Sequence, residues 1–159
     1  MKKFIMIFII CFLLSANFSF ATSIIDFNEE INRIIALRDN LDIVLNRYEN
    51  FLNNNPNYDG SEVPSEIEYL DRQVSVYQSH IIADLLELRE LYNSSSDLEY
   101  KAKIGNLYSI LIDYLETFNY LRVFSLEEDK SNVLYLANKY KSYGNQKLNL
   151  LIENYINSK

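Results

Sequence analysis

The chain has 159 residues, with 15 Lys and Arg against 22 Asp and Glu and a net charge of −7. Nucleic acids and anionic membranes are bound through clusters of basic residues, so an acidic chain without such a cluster argues against both as partners. With three glycines in the whole sequence, a glycine-rich phosphate-binding loop has little room.

The first 21 residues have the pattern of a secretory signal peptide. Two lysines follow the initial Met, the run 4–14 is apolar, and Ser19 and Ala21 put small residues at the positions that a signal peptidase reads. We therefore expect cleavage after Ala21, with retention as an uncleaved anchor as the alternative. The expected location is periplasmic or extracellular, in a bacterium.

Cleavage would leave residues 22–159 as a single helical domain. Cys11 is the only cysteine and would leave with the signal peptide. The mature domain would then contain no disulfide, despite an oxidising destination, and its hydrophobic core would have to hold the fold alone.

Four segments show the hydrophobic period of amphipathic helices. Their apolar residues recur at spacings of three, four and seven, which places them on one helix face. Gly144-Asn145 would allow a break in the last segment, since a glycine inside a helix costs about 1 kcal/mol relative to alanine. The predicted helices cover about 25–53, 65–93, 97–123 and 126–157.

Three of these helices are preceded by the spacing of a capping box. In this motif a Ser side chain and a Glu three residues later satisfy free backbone donors at a helix start. The pairs are Ser65 with Glu68, Ser96 with Glu99, and Ser125 with Glu128.

No segment keeps the two-residue period of a strand, so the sequence predicts an all-α protein. Helices of this length joined by one longer and two short loops favour an antiparallel up-down-up-down four-helix bundle. The alternative is a short solenoid of helical hairpins. Segments 104–114 and 136–146 align at a period of 32, and "RYENFLNNNPNY" resembles the end of a tetratricopeptide (TPR) unit, whose period is about 34. Ile112 stands where that family has its turn glycine.

The loop after the first predicted helix resembles a calcium-binding loop. Asn55, Asn57 and Asp59 occupy positions one, three and five of the pattern, Gly60 occupies position six and Glu66 position twelve. Alternating oxygen ligands, a sharp turn at glycine and a closing glutamate are what calcium coordination needs. A weak calcium or small-ligand site is therefore one functional hypothesis.

The same loop departs from the pattern in ways that weaken calcium binding. Its first position has an amide in place of the usual carboxylate, and Glu62 stands where an apolar residue is usual. Val63 and Pro64 follow in the part that should wrap around the ion. An ordered connection without an ion is therefore the expected role.

His80 is the only histidine and would share a helix face with Asp84 and Glu87. Such spacing can supply metal ligands, but it is also typical of a solvated helix face. We predict no metal site there. The sequence contains no nucleophile motif or cofactor-attachment motif either, so we predict no catalytic residue, no cofactor and no enzymatic activity.

The tyrosines favour a role in protein contacts, since tyrosine buries much area at low entropy cost. All 13 lie after residue 21, and those off the apolar stripes are expected at the surface. We therefore predict a protein–protein interaction module of inhibitor, immunity, adhesin or envelope-assembly type. A TPR-like scaffold is the alternative under the solenoid fold. The tyrosines off the stripes are Tyr100, Tyr120, Tyr135 and Tyr143.

Self-association is the second kind of partner that the sequence allows. Apolar residues off the main stripes, Leu37, Ile43 and Leu86, are candidates for such a face.

Overall fold

A computed structural model describes residues 26–157, and within that range it contains helices and no strand. The predicted signal peptide, residues 1–21, lies outside the described part. No helix within that part combines the length and apolar character needed to cross a membrane. The prediction of an all-α four-helix bundle is confirmed. The helices are α1 (Phe27–Asn54), α2 (Ser65–Ser94), α3 (Leu98–Arg122) and α4 (Lys130–Asn157).

Side-chain contacts show how the helices are arranged. Arg33 near the start of α1 meets Asp84 in the second half of α2, as expected for antiparallel neighbours. Helix α1 also contacts α4, where Lys141 Nζ lies 2.8 Å from Asp42 Oδ1. This contact between the first and last helices closes the bundle, whereas repeats of a solenoid contact only their sequence neighbours.

The core consists of the apolar stripes that define the helices. It runs the length of the bundle and is rich in leucine and isoleucine. Burial of these side chains is the main force that holds the four helices together. Among its largest fully buried members are Tyr48, Tyr114, Phe118 and Phe124.

Helix α4 continues through Gly144-Asn145, where the sequence allowed a break. Glycine occupies this position because α3 crosses α4 closely here: a Cβ on Gly144 would lie 2.5 Å from Cε1 of Tyr114. The hydroxyl of Tyr114 donates a hydrogen bond of 2.7 Å to Oδ1 of Asn145. Gly144 therefore leaves space for the Tyr114 ring, Asn145 binds its hydroxyl, and neither residue ends the helix.

The predicted Ser capping boxes are wrong, because none of the three predicted serines caps its helix. Asp26, Asp97 and Asp129 each precede a helix and accept hydrogen bonds from its first backbone N–H groups. Helix α2 follows Pro64 and has no side-chain cap. Aspartate caps a helix as well as serine does and adds a negative charge beside the positive end of the helix dipole. Consequently α4 begins at Lys130, four residues later than predicted.

Candidate binding groove

A groove of about 460 Å³ lies between α1 and α2. Ile34 and Ile81 form its floor together with Leu111, which reaches in from α3. Ala36 and Ala83 stand on its two sides and are exposed. The floor itself is buried, and the apolar surface that remains exposed in the groove comes from the partly buried Leu37 and Tyr77.

One end of the groove is bridged by an ion triad. The Arg33 guanidinium donates to Asp84 Oδ1 at 2.7 Å and to Glu30 Oε2 at 2.9 Å. Glu30 is buried, and its burial raises the pKa of the carboxyl group even though the nearby arginine lowers it. The triad joins α1 to α2 across the groove and offers a polar rim.

Two exposed apolar residues extend the groove away from this triad. Ile43 follows Ala36 by seven residues and Val76 precedes Ala83 by seven, so each lies on the same helix face as its alanine. Each is 52% exposed. We call the groove together with Ile43 and Val76 the α1–α2 face.

His80 lines the groove and is exposed at its edge. Its neighbour Asp84 is held by Arg33, and Glu87 does not line the groove. In the described range, no cluster of three or more His, Cys, Asp or Glu side chains is placed to hold a metal ion.

The fold brings only some of the predicted calcium ligands of the loop close to one another. Asn55, Asn57 and Asp59 line one depression of about 500 Å³, but Glu66 does not line it. The Asn55 amide donates to the carbonyl of Phe51. The Asp59 carboxylate accepts the N–H of Ser61 at 2.8 Å, which lowers the pKa of Asp59.

The same loop is held against the turn that joins α3 to α4, an arrangement that the sequence did not reveal. Gly60, with a φ of 85°, packs against the carbonyl of Ser125. Lys130 is buried between the two segments and its ammonium donates to the carbonyls of Ser125 and Glu127. The only signal in the sequence was an unfavourable one, a cation in the first turn of a helix.

Aromatic rings complete this contact, which we call the lysine clasp. Lys130 Nζ lies 5.3 Å from the ring centroid of Tyr58 and 5.9 Å from that of Phe124. Such cation–π contacts stabilise an ammonium group that has little access to water. The loop is therefore an ordered connection, and the lysine clasp anchors it.

The tyrosines predicted at the surface divide into two pairs. Tyr135 is 64% exposed and Tyr143 is also exposed. Tyr100 packs edge-on against Phe27, and Tyr120 stacks on another tyrosine ring. The first pair is available for contacts, and the second contributes to helix packing.

No protein family, curated protein or solved structure matches the chain.

Proposed function

We propose that this protein acts by binding another protein through the α1–α2 face. The observation that carries the proposal is a groove between two helices in which the apolar side chains of Leu37 and Tyr77 remain partly exposed beside charged and polar groups. Recognition of a partner helix commonly uses such a groove, with apolar anchors on the floor and polar contacts at the rim.

The composition of the rim supports a specific partner over non-specific adhesion. The Arg33–Asp84 pair and His80 offer both donors and acceptors. Ile43 and Val76 add apolar area beside the groove. Interfaces combine such an apolar centre with a polar rim that fixes orientation.

The signal-peptide pattern sets the proposed location. We propose a periplasmic or extracellular binding protein without enzymatic activity. An inhibitor, an immunity protein, an adhesin or an envelope-assembly factor would each use a rigid helical face in this way.

A capture experiment with matched variants tests the proposal. Val76→Arg places a long charged side chain on the α1–α2 face, and Asn149→Arg makes a comparable change at an exposed position of α4. We expect proteins from envelope extracts to be retained by the wild type and by Asn149→Arg, but not by Val76→Arg. Equal retention by all three baits would contradict a role for this face. Circular dichroism checks that each bait is folded.

Calcium binding stays a prediction of the sequence. Isothermal titration with calcium chloride tests it: saturable heat that disappears in Asp59→Asn would support a site in the loop. Absence of heat at millimolar calcium would remove the hypothesis.

A further inference from the structure

A second, smaller cleft of about 260 Å³ lies between α2 and α3. We call it the tyrosine cleft, because Tyr92 and Tyr108 line it and both are exposed. Leu88 and Ile104 are buried beneath it. It shares no residue with the groove of the α1–α2 face.

Gly105, which also lines the tyrosine cleft, is not required by the fold. A Cβ at this position would meet no atom within 4 Å. Its backbone is also ordinary, since the one glycine with positive φ among the described residues is Gly60. Glycine is a poor helix former, so helix stability does not explain it. Its structural effect is to leave the tyrosine cleft open.

Two cations that form no ion pair within residues 26–157 border the tyrosine cleft. Arg89 lines it, and Lys101 Nζ lies 5.0 Å from the ring centroid of Tyr92. Neither belongs to any of the ion pairs in the described part of the chain. On a protein with net charge −7, this local positive charge favours an occupant that carries carboxylates beside an apolar side chain.

The protein carries such a segment itself, in the turn between α3 and α4. Leu126 is 80% exposed there, and Glu127, Glu128 and Asp129 follow it, all exposed. We call residues 126–129 the acidic knob.

The acidic knob is held in one conformation by the chain around it. The N–H of Leu126 donates to the carbonyl of Val123 at 2.9 Å. The ammonium of Lys130 holds the carbonyls of Ser125 and Glu127. A segment that is already ordered loses little conformational entropy on binding.

We propose that the tyrosine cleft binds the acidic knob of a second copy of this chain. Leu126 of one copy would lie between Tyr92 and Tyr108 of the other. Glu127 and Glu128 would then approach Arg89 and Lys101. The apolar contact of Leu126 would position the acidic knob in the cleft, and the two cations would favour its acidic residues over other segments.

The positions of the two surfaces determine the kind of assembly. The tyrosine cleft lies toward the end of the bundle where α2 leads into α3, whereas the acidic knob lies at the opposite end, where α3 leads into α4. Each added copy therefore presents a free cleft or a free knob. Such a head-to-tail contact is heterologous and produces a growing row instead of a closed pair.

Analytical sedimentation tests for this row of copies, using protein expressed from residues 1–159 and purified after any processing by the host. The contact is small, so we expect a dissociation constant on the order of 10⁻⁴ M. The mean mass of the wild type should rise past that of a dimer as the concentration approaches about 1 mM. Association should weaken in about 0.5 M salt, because exposed ion pairs are screened. A wild type that stays monomeric at these concentrations would overturn the proposal.

A mixing experiment isolates the head-to-tail geometry. Leu126→Ser removes the apolar anchor of the knob, and Gly105→Gln fills the tyrosine cleft at a position with open space. Each variant alone should be monomeric. An equimolar mixture should form dimers and stop there, because one intact cleft can still take one intact knob. A mixture that remains monomeric, or a variant that associates alone like the wild type, would refute the contact.

A variant of the other surface separates this proposal from the proposed function. Val76→Arg alters the α1–α2 face and leaves the tyrosine cleft unchanged. It should associate like the wild type, and loss of association in Val76→Arg would instead assign the contact to the α1–α2 face.

Discussion

At the scale of single residues, Tyr48 and Asp71 form a partly buried pair between α1 and α2. The tyrosine hydroxyl donates to Asp71 Oδ1 at 2.6 Å. Burial raises the pKa of Asp71, and the hydrogen bond from Tyr48 opposes that rise without cancelling it. Burial and the adjacent carboxylate raise the pKa of Tyr48 as well. The hydroxyl therefore keeps its proton and stays a donor.

This pair predicts a pH-dependent effect for Tyr48→Phe. The folded-state pKa of Asp71 is raised, so its contribution to stability is present at low pH and is lost as pH rises through the folded-state pKa. Removing the hydroxyl raises that pKa further. At pH 7 the buried carboxylate would also lack its donor, at a cost of about 1–3 kcal/mol of unfolding free energy. The cost should be smaller near pH 4.

Urea unfolding at the two pH values measures the effect. Tyr135→Phe is the control, because this tyrosine is exposed and should change stability little at either pH. A Tyr48→Phe cost that is equal at both pH values would show that the Asp71 charge is not involved.

At the scale of helices, two glycines inside helices have opposite explanations. Gly144 in α4 lies against the ring of Tyr114, where a methyl group would overlap it. Gly105 in α3 has open space at the same position. The helix propensity of glycine is equally poor in both places. Their surroundings therefore decide what a substitution does.

Alanine at these positions should change stability in opposite directions. Gly144→Ala should lower the free energy of unfolding by about 1–3 kcal/mol, because the Tyr114 ring must move. Gly105→Ala should raise it by up to about 1 kcal/mol, because nothing opposes the better helix former. Chemical denaturation monitored by circular dichroism measures both. Since each variant is the control for the other, a shift of the same sign in both would show that the Gly144–Tyr114 crossing is looser than described.

The sequence predicted the helices better than it predicted their starts. Hydrophobic period identifies which residues face a core, and this fixed each helix over most of its length. Which residue caps a helix depends on local geometry, because several neighbouring polar side chains can accept the same backbone N–H groups. At the start of α3, both Ser96 and Asp97 can cap, and Asp97 does. The spacing Ser-x-x-Glu is present there, but the helix begins one residue later.

At the scale of the whole molecule, the lysine clasp joins two connecting segments at one end of the bundle. It ties the long loop after α1 to the turn before α4, through Gly60, Tyr58 and the ammonium of Lys130. The connection joins residues far apart in the chain. It therefore limits how far the C-terminal end of α1 can move away from the N-terminal end of α4.

Lys130→Met should loosen this end of the molecule. Methionine removes the charge and leaves the carbonyls of Ser125 and Glu127 without their donor, at a cost of about 1–3 kcal/mol of unfolding free energy. The loop at 55–64 should also be cleaved faster by proteases. Lys139→Met, at an exposed position of α4, is the matched control and should leave both quantities near wild type. Unchanged cleavage in Lys130→Met would mean that the loop is ordered without the clasp.

The sequence contains less information about which helices pack together and about where a groove lies between them. Apolar stripes show that a face is buried, but they do not show which helix covers it, so bundle and solenoid remained open. The contact of Asn138 with Glu49, 89 residues apart, is the kind of observation that decides. The groove likewise depends on Arg33 meeting Asp84 across 51 residues. The sequence identifies His80 as the only histidine, but only the fold places it beside an apolar groove.

The crossing of α3 and α4 has a consequence for how this sequence can change over generations. Tyr114 fills the space that Gly144 leaves, and its hydroxyl is held by Asn145. A lineage could therefore acquire a side chain at position 144 only together with, or after, a smaller residue at position 114. A distant descendant would then keep a Tyr followed thirty positions later by Gly-Asn, or lose both halves together. Such correlated conservation or loss would indicate homology even where the rest of the sequence had diverged.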